Sequence, residues 1–233
     1  MGKRGCPPCY IETVCKGDPT PVNTLPAPPH FRQNNALKLT VAWLVIIWVW
    51  AAIEPIDREI WLIENVLVFS YVALLILTYR YFRFSNLSYG FFALFMTLHL
   101  VGAHYTYLEV PIGQWIQAFF DLERNPYDRM VHLAFGVLIA YPMWEALIRA
   151  AHIRLSWSYF VAVNGILAFG AFYELLEALV VIVAPHVDAA WLCTQGDIWD
   201  AHKDTGLGFV GGIITMLLVR WQVGRRGCWL QPR

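Results

Sequence analysis

Residues 190–212 read AWLCTQGDIWDAHKDTGLGFVGG, with Asp197, Asp200, His202 and Asp204 placed directly before a glycine-rich apolar run. If the helix begins before Asp204, the spacing of three then four puts Asp197, Asp200 and Asp204 on one stripe at its N-terminus, where the helix dipole favours anions. Capping accounts for one aspartate comfortably and for three poorly. Gly208 and Gly212 carry the small-xxx-small spacing that lets a membrane helix approach its neighbour closely. The stretch therefore predicts a membrane helix that carries acids into the centre of a bundle.

The rest of the chain agrees. Apolar residues make up 58% of the 233 and charged residues 15%, against roughly a quarter charged in soluble domains. Formal net charge is zero, so bulk charge gives no reason to expect a nucleic-acid partner; membrane lipid is the expected one, and nothing fixes an oligomeric state. Charge-poor apolar runs recur near 37–53, 60–79, 87–104, 130–148, 157–183 and 205–221. Their uncharged cores of about 15 to 19 residues fall slightly below the roughly 20 needed to span a bilayer, so some ionisable groups must lie inside the spans.

Lys and Arg sort by side. Thirteen fall in the N-terminal segment, the second and fourth loops and the C-terminus, whereas the opposite face holds only Arg58, Arg124, Arg129 and Lys203. The positive-inside rule then places both termini in the cytoplasm. The expected fold is an all-α integral membrane protein of six transmembrane helices over 37–222. A disordered tail rich in Pro and Cys precedes it at 1–36, and a short basic tail follows at 223–233. Ile112, Trp115, Ile116, Phe119 and Phe120 form one helical stripe, which predicts an amphipathic helix in the second outer loop. It would lie in the membrane interface or pack as a lid on the bundle.

Depth follows from 1.5 Å per residue, which sets Glu174 roughly 26 Å, His99 roughly 18 Å and His104 roughly 26 Å from the cytoplasmic side. Span four descends from the outside, so Asp128 and His132 sit at its mouth. The acids and histidines converge on one outer layer: Glu64, His99, His104, Asp128, His132, Glu174, Glu177, Asp197, Asp200 and Asp204. Glu145 lies near the cytoplasmic side with Arg149 one turn below, and reads as a structural pair.

In YDRMVH, Asp128 and His132 share a helix face, which suits two ligands of one ion or a carboxylate orienting an imidazole; a plain N-cap is the alternative. In YELLE, Glu174 and Glu177 share a face inside apolar sequence, where an unpaired carboxylate costs several kcal/mol or takes up a proton; an interhelical salt bridge is the alternative. Six carboxylates from spans four to six face few cations, an excess that a bound cation would relieve. Mixed imidazole and carboxylate ligands suit Zn, Mn or Fe better than Mg.

Cys6, Cys9, Cys15 and Cys228 share the cytoplasmic face, where thiols stay reduced. They form a possible zinc set or, more simply, free thiols. The runs IEPIDREIWLIEN, HLVGAHYTYLEVP, NPYDRMVHLAFGVLIAYP, AFYELLEAL and TQGDIWDAHKDTGLGFVGG, in that order, resemble the YjdF-like bacterial inner-membrane proteins over about residues 37–222. The order DxxxH, ExxE, then Asp before a glycine-rich last helix is more distantly similar to the VanZ-like membrane family, although Arg129 stands where that pattern usually has Lys. Both resemblances imply a bacterial inner-membrane location, and neither supplies a reaction.

The expected function is a metal-dependent membrane enzyme, a hydrolase or transferase acting on a lipid or lipid-linked head group near the outer leaflet. His104, Asp128, His132, Glu174 and Asp200 would hold the divalent metal. Glu177 or Asp197 would serve as general base and Tyr105 as proton donor, while Arg129 and Lys203 would steady anionic substrate oxygens. Glu64, His99 and Asp204 are additional site candidates. A small proton- or cation-coupled transporter and a non-catalytic scaffold are the alternatives.

Overall fold

The computed structural model describes residues 13–15, 28–184, 195–225 and 228–230. Cys6, Cys9 and Cys193, with most of the expected N-terminal tail, lie outside the described residues. The described part contains seven α-helices: α1 (Asn35–Ala52), α2 (Arg58–Thr78), α3 (Asn86–His104), α4 (Pro111–Phe120), α5 (Tyr127–Arg149), α6 (Leu155–Val183) and α7 (Asp200–Arg225). All but α4 are long and apolar enough to cross a membrane. Six spans bring both ends of the bundle to one side, here called the terminal face. There a short antiparallel pair, β1 (Thr13–Cys15) with β2 (Cys228–Leu230), sets Cys15 opposite Cys228 in register, a small addition to the all-helical expectation.

The first three helices start where the sequence supplies an acceptor for their unsatisfied N–H groups. Asn34 accepts from the Leu37 amide at 3.1 Å and donates to Asn86 at 2.7 Å, which ties the starts of α1 and α3 together. Asp57 accepts from the Glu59 and Ile60 amides at 2.8 and 3.0 Å. At α3 the clamp comes from another helix: Glu145 of α5 accepts from the Ser85 amide at 2.9 Å and its hydroxyl at 2.8 Å, from Ser88, and from Arg149. Glu145 is thus structural, as its depth implied. Glu145→Ala leaves Arg149 and the start of α3 uncompensated, so it is expected to cost about 3–5 kcal/mol. The check is a lowered unfolding midpoint in detergent.

The tightest packing joins α5 to α7, with α6 and α3 flanking them and α1 against α3. Glycine sets that approach. A Cβ on Gly136 would run into the Gly208 carbonyl, and one on Gly211 would stand 2.5 Å from the Leu133 carbonyl oxygen and 2.8 Å from the Val137 amide. Thr215 donates to the Val137 carbonyl at 2.7 Å across the same seam. The expected Gly208 and Gly212 are both there, and Gly211 joins them. Large apolar side chains such as Leu39, Phe69, Leu175 and Ile182 point outward, as a lipid-facing surface requires.

On α4 the apolar stripe also faces outward: Trp115 is 73% and Phe119 82% exposed, and Phe120 is likewise uncovered. A packed lid would hide these rings, so the helix has the form of an interfacial one. The αL-capped end at Asp121 turns the chain toward α5. Asn125 then fixes the turn by donating to the Leu108 and Val110 carbonyls at 2.8 and 3.3 Å and accepting from the Tyr127 amide at 3.0 Å. That bond, with Pro126 at the cap position, frees Asp128 from capping.

Candidate functional site

At the face opposite the termini, α5 offers Asp128 and His132 one turn apart, α7 offers Asp204, and α6 offers Glu174 and Glu177. His132 Nε2 is 3.6 Å from both Asp128 Oδ1 and Glu174 Oε1. One ligand atom from each of Asp128, His132 and Asp204 lies within 4.8 Å of the others. Bonds of roughly 2.0–2.2 Å to a shared ion would draw that set slightly closer. Asp204 is only 2% exposed, yet its Oδ1 has no hydrogen-bond partner, and neither does Glu174 Oε1. Buried polar atoms nearly always have partners, and here two carboxylate oxygens beside an imidazole lack them. A cavity of about 360 Å³ adjoins them, lined by these acids with Glu177, Asp197 and Asp200.

The remaining aspartates are engaged. Arg124 bonds Asp200 and stands 3.7 Å from Asp128. Arg129 reaches Asp197 at 2.5 Å and Asp200 at 3.4 Å, and Lys203 also meets Asp197 at 2.5 Å. The helix does begin early, at Asp200, so Asp200 and Asp204 share a face while Asp197 precedes it. The Gln195 side chain accepts from the Asn125 amide at 3.0 Å and donates to the Asn125 carbonyl at 3.2 Å, which pins the loop before α7 to the start of α5.

Lys203, hydrogen-bonded to Asp197, together with the Trp199 amide holds the Asp197 carboxyl down at about 2, from an ordinary 3.8. A carboxyl lowered in this way adds stability that is complete above about pH 4 and is lost as pH falls through its folded value. The amide protection factor of Trp199, which donates to Asp197 Oδ1 at 3.1 Å, is therefore expected to stay level from pH 8 to about 4. It should fall only as the pH approaches 2.

A second polar group continues from the first. Tyr173 of α6 donates to Glu64 Oε2 at 3.2 Å, and its ring centroid lies 6.4 Å from that of His132. His99 Nε2 lies 3.6 Å from the Glu64 carboxylate and 3.3 Å from the Glu64 carbonyl. Burial pushes the Tyr107 hydroxyl well above its ordinary range, so it remains protonated and donates to His99 Nδ1 at 2.7 Å. His99 is thereby left with its proton on Nε2, facing Glu64.

Several expected roles change. His104 stands away from the ligand trio: its Nδ1 meets the Ala51 carbonyl at 3.2 Å and its ring stacks on Trp50 at 4.6 Å. Five residues of helix turn it some 140° from His99, and the end of α1 holds it there. Tyr105, expected as proton donor, packs edge-on against His104, whereas the hydroxyls that reach the polar group are those of Tyr107 and Tyr173. Asp200, expected to bind metal, is taken by Arg124 and Arg129. Asp197 is taken by Arg129 and Lys203, two cations on one carboxylate, with the Lys203 side chain still 49% exposed. Opposite charges of low exposure pair wherever geometry lets them. Asp204, only an additional candidate in sequence, joins the trio. Arg124, Asn125, Tyr107 and Tyr173 carried no sequence signal, because their importance lies in partners between 8 and 109 residues away.

The comparisons with known proteins agree with this architecture. A family described as "Predicted membrane protein (DUF2238)" matches residues 36–225. The chain is 31% identical over 192 residues to the inner membrane protein YjdF of Escherichia coli (strain K12), covering 82% of this chain and 90% of that protein. No solved structure matches. The chain belongs to the DUF2238 family, and it is a multi-pass protein of the bacterial inner membrane.

Proposed function

We propose that the chain is a metal-dependent membrane enzyme, a hydrolase or transferase, acting on a lipid or lipid-linked substrate. The proposed side is the outer leaflet, since the basic residues of the sequence gather on the terminal face and positive charge stays inside. Asp128, His132 and Asp204 would hold the divalent ion, which would supply Lewis acidity toward a substrate or water oxygen. Glu174, beside His132 but outside the trio, is placed to accept a proton as general base. Arg124, Arg129 and Lys203 brace the aspartates and so fix the chamber. The observation that carries the reading is the buried Asp204 oxygen with no partner, set against an imidazole and a second carboxylate.

Turnover is sought by incubating the protein in nanodiscs of total bacterial lipid with Zn, Mn or Fe and following new products by mass spectrometry. A product formed by wild type and by Glu145→Ala, and absent with Glu174→Gln, supports the reading. The scaffold alternative has the salt-bridged aspartates in its favour, and it predicts that Glu174→Gln changes stability only. The transporter alternative needs polar groups down to the terminal face, and there Glu145 is closed on Arg149, Ser85 and Ser88.

A further inference from the structure

The chamber keeps a negative surplus even with an ion in it. Arg124, Arg129 and Lys203 are matched to Asp200 and Asp197, with Arg124 also near Asp128. A divalent ion on the trio would answer Asp204 and Asp128. Glu174 and Glu177 remain, one turn apart on α6, half-buried, with their carboxyls within hydrogen-bonding reach of each other. No described Lys or Arg forms an ion pair with either. Three cations and a divalent ion set five positive charges against six carboxylates, so about one charge remains on this pair, which a single cation would answer. Glu174 Oε1, buried and without a hydrogen-bond partner, belongs to the same cavity lining and lies outside the trio that the ion would answer.

The rim shows where that ligand comes from. Ile198 lines the cavity and is 87% exposed, and Trp199 beside it is exposed too. Exposed Trp and apolar side chains at a helix end mark head-group depth. With the outward rings of α4, they put the mouth where a lipid head group lies.

Resting on the reading of this chamber as a substrate site, we infer that Glu177 receives the ammonium of an amine-bearing lipid head group, and that the substrate class is a primary-amine phospholipid or aminated glycolipid. A purely anionic head group would meet the carboxylate surplus of Glu174 and Glu177, with Arg129 and Lys203 already on Asp197. The inference reverses the sign expected from Arg129 and Lys203 in the sequence.

The test is native mass spectrometry of the full-length protein in detergent with four probes: short-chain phosphatidylethanolamine, phosphatidylglycerol and phosphatidylcholine, and free ethanolamine. The ethanolamine lipid is expected to bind about ten-fold more tightly than the glycerol lipid, and more tightly than the methylated choline lipid, whose head group donates no N–H. Glu177→Gln should bring the ethanolamine-to-glycerol ratio to about one, and Glu177→Asp should retain a preference. Should Glu177→Gln fail to fold, the wild-type ratios still decide. Equal binding of ethanolamine and glycerol lipids overturns the inference, and free ethanolamine binding as tightly as the lipid overturns the head-group source. Ion content is measured on the same samples. Preference without an ion overturns the metal-enzyme reading alone, and an ion without preference overturns this inference alone.

Discussion

Asp204→Asn is expected to lower the affinity for a divalent ion by roughly 100-fold, about 2.7 kcal/mol, without harming the fold. The substitution keeps the shape of the side chain and removes one charge. In the folded protein that charge is 2% exposed and its Oδ1 has no donor. Removing an uncompensated buried charge relieves a penalty, so the ion-free variant should unfold at the same temperature as wild type or above it. An ion that binds only the folded chain stabilises it by about 4.1 kcal/mol at a thousand-fold excess over its dissociation constant. A 100-fold weaker site would retain only about 1.4 kcal/mol of that. The signature is thus an unchanged or raised baseline midpoint with most of the ion-dependent rise gone. A purely structural aspartate would show the opposite, a lowered baseline and no ion-dependent rise in either protein.

Gly211→Val is expected to destabilise the bundle by about 3 kcal/mol or more and to abolish the site with it. Its Cβ would press on the Leu133 carbonyl at 2.5 Å and the Val137 amide at 2.8 Å. Both are helix backbone, which cannot rotate aside as a side chain can. Only separation of α5 from α7 makes room, and that pulls Asp204 from Asp128 and His132 and lengthens the Thr215 bond to Val137. Gly206→Ala is the matched control. Nothing lies within 4 Å of a Cβ at that position, so alanine should raise stability by about 0.5–1 kcal/mol through helix propensity. Unfolding midpoints and ion content of the two variants, measured side by side, check both halves of the prediction.

Much of the fold was legible because membrane spans announce themselves through apolar length and missing charge. The first five expected runs, such as 87–104 or 157–183, lie within two or three residues of their helices, here Asn86–His104 and Leu155–Val183, and the sixth, 205–221, falls inside Asp200–Arg225. The early start of α7 at Asp200 was readable too, from the spacing of its aspartates. The site was legible as a layer, since depth is a one-dimensional quantity that counting residues supplies. What counting cannot supply is azimuth and partner. It could not show that His104 turns toward Trp50 and Ala51 while His99 turns toward Glu64. Nor could it show that Arg124, in a loop of unremarkable composition, reaches Asp200 across 76 residues of chain. The carboxylates were therefore counted correctly and sorted incompletely: Asp197 and Asp200 proved to be salt-bridged, and Asp204 Oδ1 and Glu174 Oε1 proved to lack hydrogen-bond partners.

The most direct measurement is elemental analysis of the detergent-purified protein after equilibration with Zn, Mn and Fe and removal of free ions, on wild type, Asp204→Asn, His132→Ala and Glu145→Ala. The account predicts about one divalent ion per chain in wild type and in whatever Glu145→Ala protein remains folded, with little or none in Asp204→Asn and His132→Ala. Folded wild-type protein that holds no ion under these conditions, or an Asp204→Asn variant that holds as much as wild type, would contradict it.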